Sequence, residues 1–349
     1  MRRPIIGATV GVVVAGALFL AGCSSSSSSS GASGSSSSGS GSAPVTVRLG
    51  LLANITHASA LIGIQKGFFT KNLGSAGKLT TTVYNSGTQE TTAILAGQLD
   101  AAYVGPNPAI NAFQKSGDTA IKIISGAATG GASVVVKPSI TSAAGLKGKI
   151  VDTPSLGNTQ DVAIRYYLKQ NGLATTTTGG GDVTIKPTNP NSDAVLQFQS
   201  GQIAGASEPS PYDVEMVKDG GKVLFSEPGV TTLLVVTQSF LKAHPAIVSD
   251  LLKGQIEAND YIAKDPAAAQ TAANAELTAL VGKGIKASTL PAAFKEITFT
   301  DDPDASSLTT DAQQAKAVGL LTSTNLSGIF DLGPLNQLLQ AAGEPQVNS

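Results

Sequence analysis

The apolar and polar positions of the chain alternate between short β-rich runs and helical stripes. Val45–Leu51 is a run of β-forming residues, and His57–Phe69 then carries Ala60, Ile64 and Phe68 at helical spacing. Ala101–Val104 is a short apolar run, followed by Pro106 where the first turn of a helix tolerates proline. Strands that alternate with helices are typical of an α/β protein, and we expect a mostly parallel sheet.

This pattern occurs twice along the chain. Gly97–Gln98 returns as Gly201–Gln202, and the turn Pro106–Pro108 returns as Pro209–Pro211. The repeated unit contains several strands and helices, so it is too long for a solenoid repeat. The duplication therefore predicts two homologous α/β lobes with a cleft between them.

Two crossings between the lobes are predicted. Gly126–Gly131 is expected to have a soft backbone and is interpreted as the first crossover into the second lobe. Gly229–Thr232, followed by Leu233–Thr237, would return the chain to the first lobe. We therefore assign residues 45–131 plus 233–349 to lobe 1 and residues 132–232 to lobe 2. The C-terminal part is predicted to form helices on lobe 1 and across the hinge, at 245–264, 267–280, 310–321 and 335–341.

The N-terminus has the pattern of an export signal. Arg2 and Arg3 precede the apolar run Ile5–Ala21, which ends in Leu20–Cys23. This tetrapeptide resembles a bacterial lipobox, although an ordinary signal peptide or signal anchor with an incidental cysteine is the alternative. Cys23 is the only cysteine of the chain and can close no internal disulfide. We predict that residues 1–23 are a lipoprotein signal peptide and that Cys23 is lipidated.

The segment after Cys23 is almost pure serine and glycine. Such a composition buries too little apolar surface to offset chain entropy, so residues 24–44 are predicted to be a disordered tether. A lipid and a tether together predict a protein anchored on the extracytoplasmic face of the cell membrane. Contact with the membrane is expected through the anchor only, because no later segment has the length and apolarity of a bilayer span.

Composition excludes some classes of function. Lys and Arg number 23 against 24 Asp and Glu, so no basic field predicts nucleic-acid binding. The chain has no Trp and only 5% aromatic residues, which argues against a base-stacking surface. No Cys/His metal spacing, Walker loop or GxGxxG motif occurs, so neither a metal nor a cofactor is expected.

Polar residues follow the predicted strands of both lobes, where helices begin. Ligands of open α/β sheets bind beyond the carboxyl ends of the strands, and free amides at helix starts favour anions. The alternative is that each residue is only a helix cap. The sets are Asn54/Thr56/His57, Ser86/Gly87/Thr88 and Gly105/Pro106/Asn107 in lobe 1, and Gly157/Asn158/Thr159/Gln160, Asn191/Ser192/Asp193 and Ser207/Glu208/Pro209/Ser210 in lobe 2.

These loops contain no Lys or Arg, and Arg48 and Arg165 are expected to face solvent or to pair locally. Glu208 either caps its helix or bonds across the hinge, or it meets an amine or hydroxyl of the ligand. Tyr103 and Tyr212 beside the two proline turns either form cavity walls or pack in the core.

Catalysis has little support in the sequence. The only two histidines are His57 and His244, and only His57 lies near the predicted cleft. His57 is therefore interpreted as a ligand or a cap rather than as a base, and the protein is not expected to be an enzyme.

Several motifs match a known family in order. VRLGLLANITHASALIGIQKGFF, ILAGQLDAAYVGPNPAINAF, GAATGGASVVVKP, LKGKIVDTPSLGNTQDVAIRYYLKQNGL and HPAIVSDLLKGQIEAND resemble the nitrate/sulfonate/taurine-type substrate-binding proteins of ABC transporters, and most closely the aliphatic sulfonate-binding members. The likeness covers Val45–Leu321. It implies an α/β fold of the type II periplasmic-binding-protein class: two Rossmann-like lobes with two crossover strands and C-terminal helices.

The resemblance also implies the ligand contacts. They are Asn54, His57, Ser86, Thr88, Gly105, Asn107, Gly131, Asn158, Thr159, Gln160 and Glu208. Many relatives have an aromatic residue before the Glu-Pro pair, where this chain has Ser207, so a larger or more polar pocket is expected.

The implied function is that of a lipid-anchored receptor for a small oxyanion-bearing solute, with an aliphatic sulfonate as the expected ligand. It would act as a monomer and deliver the solute to an ABC permease with its ATPase. Two alternatives stay open. One is an enzyme similar to the thiamine-precursor pyrimidine synthases, which have the same lobe architecture but a Cys-rich motif. The other is a ligand-sensing subunit of a signalling protein.

Overall fold

The computed structural model describes residues 43–349. The predicted signal peptide, the lipidated Cys23 and nearly all of the predicted tether lie outside the described residues. Among residues 43–349, no helix combines the length and the apolarity that crossing a membrane requires.

The described chain alternates strands and helices through both predicted lobes. The strands are β1 (Val45–Leu52), β2 (Gly77–Tyr84), β3 (Ala101–Val104), β4 (Ile121–Gly130), β5 (Ala132–Val136), β6 (Ile150–Thr153), β7 (Thr184–Pro187), β8 (Gly205–Pro209), β9 (Lys222–Ser226), β10 (Val230–Thr237) and β11 (Ile297–Phe299). The helices are α1 (Ala58–Gln65), α2 (Phe68–Leu73), α3 (Gly87–Leu95), α4 (Pro106–Lys115), α5 (Thr159–Gln170), α6 (Asn191–Gln199), α7 (Tyr212–Lys218), α8 (Gln238–Ala243), α9 (Pro245–Lys264), α10 (Pro266–Val281), α11 (Leu290–Lys295), α12 (Ala305–Ala317) and α13 (Gly333–Ala342).

The strands form two sheets, one for each lobe. The first has the order β11-β4-β10-β3-β1-β2, and the second has the order β7-β6-β8-β5-β9. The strands β1, β2 and β3 are parallel to one another, as are β6, β7 and β8. The crossover strands β10 and β5 run antiparallel to both of their neighbours. Four of the six strands of the first sheet and four of the five strands of the second thus run in one direction, as predicted. The sequence did not predict that each crossover strand, which enters its sheet from the opposite lobe, runs the other way.

The two sheets are built on the same plan. In the first, β10 lies between β3 and β4, and in the second, β5 lies between β8 and β9. Each crossover strand thus occupies the equivalent place in its sheet, as expected of a duplicated α/β unit. Sheet membership changes between Gly130 and Ala132 and again between Ser226 and Val230. The lobe boundaries given above stay predictions.

The backbone of Gly126–Gly130 is not soft but forms the end of β4, and the chain passes to the second sheet directly after it. The backbone of Asp302 and Pro303 passes so close to Gly126 that a Cβ added at Gly126 would collide with it. Glycine is needed here for close approach of two backbones, not for flexibility.

The predicted helices after β10 mostly form, with shifted ends. The helix α9 ends at Lys264, before the predicted break at Asp265, and α10 begins at Pro266. The helix α12 begins at Ala305, five residues before the predicted start at Thr310. Three short elements were not predicted, namely α8, α11 and β11. The single helix expected over His57–Phe69 is divided into α1 and α2, because Gly67 adopts a left-handed conformation with φ of 71°.

Candidate functional site

A cavity of about 360 Å³ lies between the ends of the two parallel strand sets. Its walls come from helix starts of both lobes, as the sequence predicts, and from the end of α10. Of the eleven predicted ligand contacts, those that line this cavity are Asn54, His57, Ser86, Gly105, Asn158, Thr159 and Gln160.

The lobe 1 side presents polar groups that serve as caps and cavity lining at once. Asn54 precedes a short 3-10 helix (Ile55–His57), and its Oδ1 accepts hydrogen bonds from the Thr56 N–H and hydroxyl at 3.0 and 2.8 Å. Ser86 caps α3 by accepting from the Gln89 N–H at 3.4 Å. The cap interpretation and the ligand interpretation are therefore compatible, since capping uses only one end of the Asn54 amide.

His57 is a neutral hydrogen-bond donor in this structure. Its Nδ1 accepts from the Leu52 N–H at 3.2 Å, so the proton of the neutral imidazole is on Nε2. Burial lowers the pKa of His57 to about 3, because the charged ring would lose its hydration. His57 therefore offers the cavity an N–H group without a positive charge.

The lobe 2 side is built on the start of α5. The Oδ1 of Asn158 accepts from the Asp161 N–H at 2.9 Å and caps the helix, while its Nδ2 donates to Gln160 Oε1 at 2.9 Å. Because Gln160 Oε1 accepts this bond, the side-chain NH₂ is the remaining polar group of Gln160. The hydroxyl of Thr159 is buried and has no hydrogen-bond partner among residues 43–349.

Three long helices start at the cavity, namely α3, α5 and α6. Each begins with amide N–H groups that have no partner within the helix, and the helix dipoles place partial positive charge there. The lining at these starts is Ser86/Gly87, Asn158/Thr159/Gln160 and Pro190/Asn191/Ser192. The arrangement favours a negatively charged group through amides and neutral donors.

One wall of the cavity, formed by the end of α10 and the loop after it, was not predicted from the sequence. Leu277, Val281 and Ile285, from the end of α10 and the following loop, line the cavity together with Lys283. Asn274 holds this loop with two hydrogen bonds to the backbone of Ile285, at 3.1 and 2.6 Å. The wall adds apolar surface and one exposed cation. No local sequence signal distinguishes these positions from any surface helix end, because only the tertiary fold brings them to the cavity.

Two further side chains of the lining, Tyr212 and Glu215, come from α7. Tyr212 lines the cavity and donates from its hydroxyl to the Ala53 carbonyl at 3.0 Å, whereas Tyr103 is buried in the core and bonds to Gln255. Glu215 also lines the cavity, so that the lining contains one acidic side chain besides the basic Lys283.

The other predicted contacts do not line the cavity. The hydroxyl of Thr88 bonds to the Ser155 hydroxyl at 2.8 Å and so links the two lobes. Gly131 has φ of 71° at the crossing into lobe 2, and its carbonyl accepts from the Ser210 N–H at 2.8 Å. Asn107 is buried and donates to the Asp311 carbonyl at 3.3 Å.

Glu208 is the remaining predicted contact, and it is fully buried within β8. Neither of its carboxyl oxygens has a hydrogen-bond partner among the described residues. Burial, and then repulsion from Asp152, Asp213 and Glu227, raises the pKa of Glu208 well above its usual range. A carboxyl in such a place is favoured in its neutral form.

Arg165 does not face solvent, because its side chain is 2% exposed. It pairs locally with Asp161, at 2.9 Å between Nε and Oδ2, and donates from Nη1 to the Thr176 carbonyl at 2.8 Å. Asp161 also accepts from the Gly157 N–H at 2.9 Å, so the pair supports the loop that leads into α5. Arg48 pairs with Asp100 on a more exposed surface.

Gly105 and Thr159 face each other across the cleft. A Cβ at Gly105 would lie 2.8 Å from Thr159 Oγ1, although the backbone of Gly105, with φ of −68° and ψ of 157°, suits any residue. We expect Gly105→Val to hold the lobes apart and to increase the radius of gyration in small-angle scattering. Adding Thr159→Ala should restore the wild-type radius. An unchanged radius in the single variant would contradict this close approach.

The fold is that of the periplasmic binding proteins. The alkanesulfonate-binding protein SsuA from Xanthomonas axonopodis pv. citri bound to MOPS has 17% identity and a TM-score of 0.68, covering 82% of this chain and 97% of that chain. The periplasmic nitrate-binding protein NrtA from Synechocystis PCC 6803 has 15% identity and a TM-score of 0.70, covering 86% and 90%. The periplasmic aliphatic sulphonate binding protein SsuA from Escherichia coli has 17% identity and a TM-score of 0.61, covering 78% and 91%. These similarities confirm the predicted fold class.

Comparison of the sequence with curated proteins gives no match. The model of the NMT1-like family matches residues 40–277, which is more than half of the chain and includes every strand from β1 to β10. The chain therefore belongs to the NMT1-like family.

Proposed function

We propose that this protein is the extracytoplasmic substrate-binding component of an ABC importer, and that its cavity captures a small organic oxyanion, with an aliphatic sulfonate as the expected ligand. The observation that carries the proposal is the convergence of three helix starts and several neutral donors on one cavity between two lobes. Structural neighbours that bind alkanesulfonates and nitrate support the same class of ligand.

The donors are sufficient in number for useful affinity. A hydrogen bond to a charged group contributes about 1.5–3 kcal/mol, and a helix start adds roughly 0.3–1 kcal/mol. A micromolar site needs about −8 kcal/mol in total. His57, Thr159 and Gln160 together with two helix starts reach this magnitude before the cost of association.

The size and walls of the cavity favour an organic anion over nitrate. A volume of about 360 Å³ lies within the range of small-molecule sites, and it is far larger than a four-atom ion needs. Leu52, Val83, Leu277 and Val281 give the cavity apolar walls on the lobe 1 side. These walls suit the alkyl part of a ligand, while the helix starts hold its charged end.

We further propose that the protein is held at the membrane and delivers its ligand to a permease. A lipid on Cys23 would hold the folded body at the membrane, with the Ser/Gly segment as a tether. The Ile55 N–H donates to the Ser210 carbonyl at 2.9 Å, so the lobes meet beside the cavity, and ligand bound between them would favour this arrangement. The resulting surface would be recognised by the permease.

Calorimetry tests the ligand assignment. Propanesulfonate and taurine are expected to bind below the millimolar range, with nitrate and bicarbonate at least about tenfold weaker because they leave the apolar walls uncovered. If none of the four binds below millimolar concentration, the assignment to an oxyanion is wrong. Nitrate binding as tight as propanesulfonate binding would contradict the role of the apolar walls.

A matched pair of variants locates the site. Thr159→Val keeps the shape of the side chain and removes its free hydroxyl, which should weaken propanesulfonate binding about tenfold. Thr92→Val removes an exposed hydroxyl of α3 that bonds to the Thr88 carbonyl, and this variant should bind propanesulfonate as the wild type does.

A receptor and an enzyme are separated by incubating the protein with its ligand and recording NMR spectra of the recovered compound. Only an enzyme would change the ligand.

A further inference from the structure

A second cavity, of about 440 Å³, lies on the other side of the start of α5. One face of α5 forms one wall, α12 forms the opposite wall, and the segment that returns the chain to the first sheet forms the floor. The lining is Thr159, Ala163, Tyr166, Tyr167, Gln170, Phe225, Ser226, Glu227, Pro228, Gly229, Val230, Ser307, Thr310, Asp311 and Gln314. Thr159 lines both cavities, and no other residue of the proposed ligand site lines this one.

The cavity has two acidic side chains and no basic one in its lining. Glu227 is only 8% exposed, and its Oε1 accepts from the Ser207 hydroxyl at 2.8 Å. Its Oε2 has no hydrogen-bond partner among the described residues. Across the cavity, Oδ2 of Asp311 is buried and likewise has no partner within residues 43–349.

The electrostatics of the two carboxyls are those of acids without a counterion. Burial raises the pKa of Glu227 to about 7, and nearby Asp213 adds to the shift. Burial also raises the pKa of Asp311 well above its usual range, with repulsion from Glu227 as the next cause. A positive charge between the two groups would favour their ionised forms and satisfy the free oxygens.

Aromatic rings form another part of the lining. Tyr167 and Phe225 stack with their ring centroids 4.5 Å apart and an interplanar angle of 30°, and Tyr166 is one position away on α5. Faces of aromatic rings attract cations, and they also cover apolar or flat groups. Carboxylates together with such rings are the chemistry that recognises organic ammonium groups.

We propose that this second cavity binds a small organic cation, an ammonium group on an aromatic or apolar body, with Glu227 and Asp311 contacting the charge and Tyr167 and Phe225 covering the body. Within the described residues, no group of three or more His, Cys, Asp or Glu is arranged to hold a metal ion. The aromatic walls also suit an organic cation better than a hydrated metal ion.

Benzylamine is the probe, with benzyl alcohol and benzoate as neutral and anionic compounds of similar shape. Titrations of the full-length protein by calorimetry and ligand-observed NMR at pH 8 keep benzylamine protonated and favour ionised Glu227. We expect benzylamine to bind at least about tenfold more tightly than either control compound. Equal binding of benzyl alcohol would show an apolar cavity only and would overturn the proposal, as would an absence of benzylamine binding.

Two variants separate this cavity from the first. Glu227→Gln with Asp311→Asn removes both charges at nearly constant shape, and Tyr167→Leu removes one aromatic wall. Each should weaken benzylamine binding about tenfold, whereas Glu344→Gln at an exposed C-terminal position should not. Thermal unfolding checks that each variant is folded, and Tyr167→Leu keeps the test valid if the double variant is not. Full retention of benzylamine affinity in the folded variants would overturn the assignment.

Discussion

Replacing Arg165 with methionine is expected to destabilise the folded protein by about 3–5 kcal/mol, because a carboxylate would be left buried without its partner. The side chains of Arg165 and Asp161 are 2% and 0% exposed, and their atoms Nε and Oδ2 are 2.9 Å apart. Asp161 holds the Gly157 N–H and lies 3.2 Å from the Thr153 hydroxyl, so the loss extends to the loop of the candidate site. Urea unfolding followed by circular dichroism measures the change.

Arg48→Met is the matched control, because Arg48 forms the same guanidinium–carboxylate pair with Asp100 at a side-chain exposure of 44%. Solvent screens this pair, so its loss should cost about 1 kcal/mol or less. Combining Arg165→Met with Asp161→Asn should recover part of the stability, since no buried charge then lacks a partner. Equal losses in Arg165→Met and Arg48→Met would contradict the argument.

The helix starts of the site could be predicted from the sequence because caps have local signatures. Asn158 before Thr159 predicts a helix start at this point, and α5 begins at Thr159 with Asn158 as its cap. The same polar residues cap helices and line the cavity, as Asn54 and Ser86 do. Sequence reasoning posed capping and ligand binding as alternatives, whereas the geometry lets one residue do both.

The wall formed by the end of α10 could not be predicted in this way. Leu277 and Val281 read as ordinary apolar positions of a helix, and Lys283 reads as a surface residue beside a glycine. Their place at the cavity depends on how α10 packs on α1, which is a tertiary property. For the same reason, Gly126 looked like part of a loop although it lies in a strand that another backbone approaches closely.

Buried acids lead to a second large effect, a loss of stability as pH rises. Burial raises the pKa of Asp152, Asp213 and Glu227 to about 7 in each case, and that of Glu208 well above its usual range. In the unfolded chain these groups titrate near pH 4, so the folded state binds more protons between pH 4 and pH 7. The protonated carboxyls stabilise the folded state fully below about pH 4, and this stabilisation is lost as pH rises through about 7.

Each group changes the free energy of unfolding by up to about 1.4 kcal/mol per pH unit in this window. We expect the free energy of unfolding to fall by at least about 2 kcal/mol from pH 5 to pH 8. Urea unfolding at each pH measures this fall, and the urea midpoint should fall with it.

Asp152→Asn tests the cause of this slope. The variant removes one acid that is fully buried in β6, so it should flatten the fall between pH 5 and pH 7 and make the protein more stable than the wild type at pH 8. Glu257→Gln removes a carboxylate from the exposed pair with Lys71 and separates this effect from a general change in net charge. A wild-type stability that stays level or rises from pH 5 to pH 8 would show that the buried carboxyls are ionised in the folded protein. In that case a counterion, such as an organic cation between Glu227 and Asp311, would have to accompany them, and adding benzylamine would be expected to raise the urea midpoint most at pH 8.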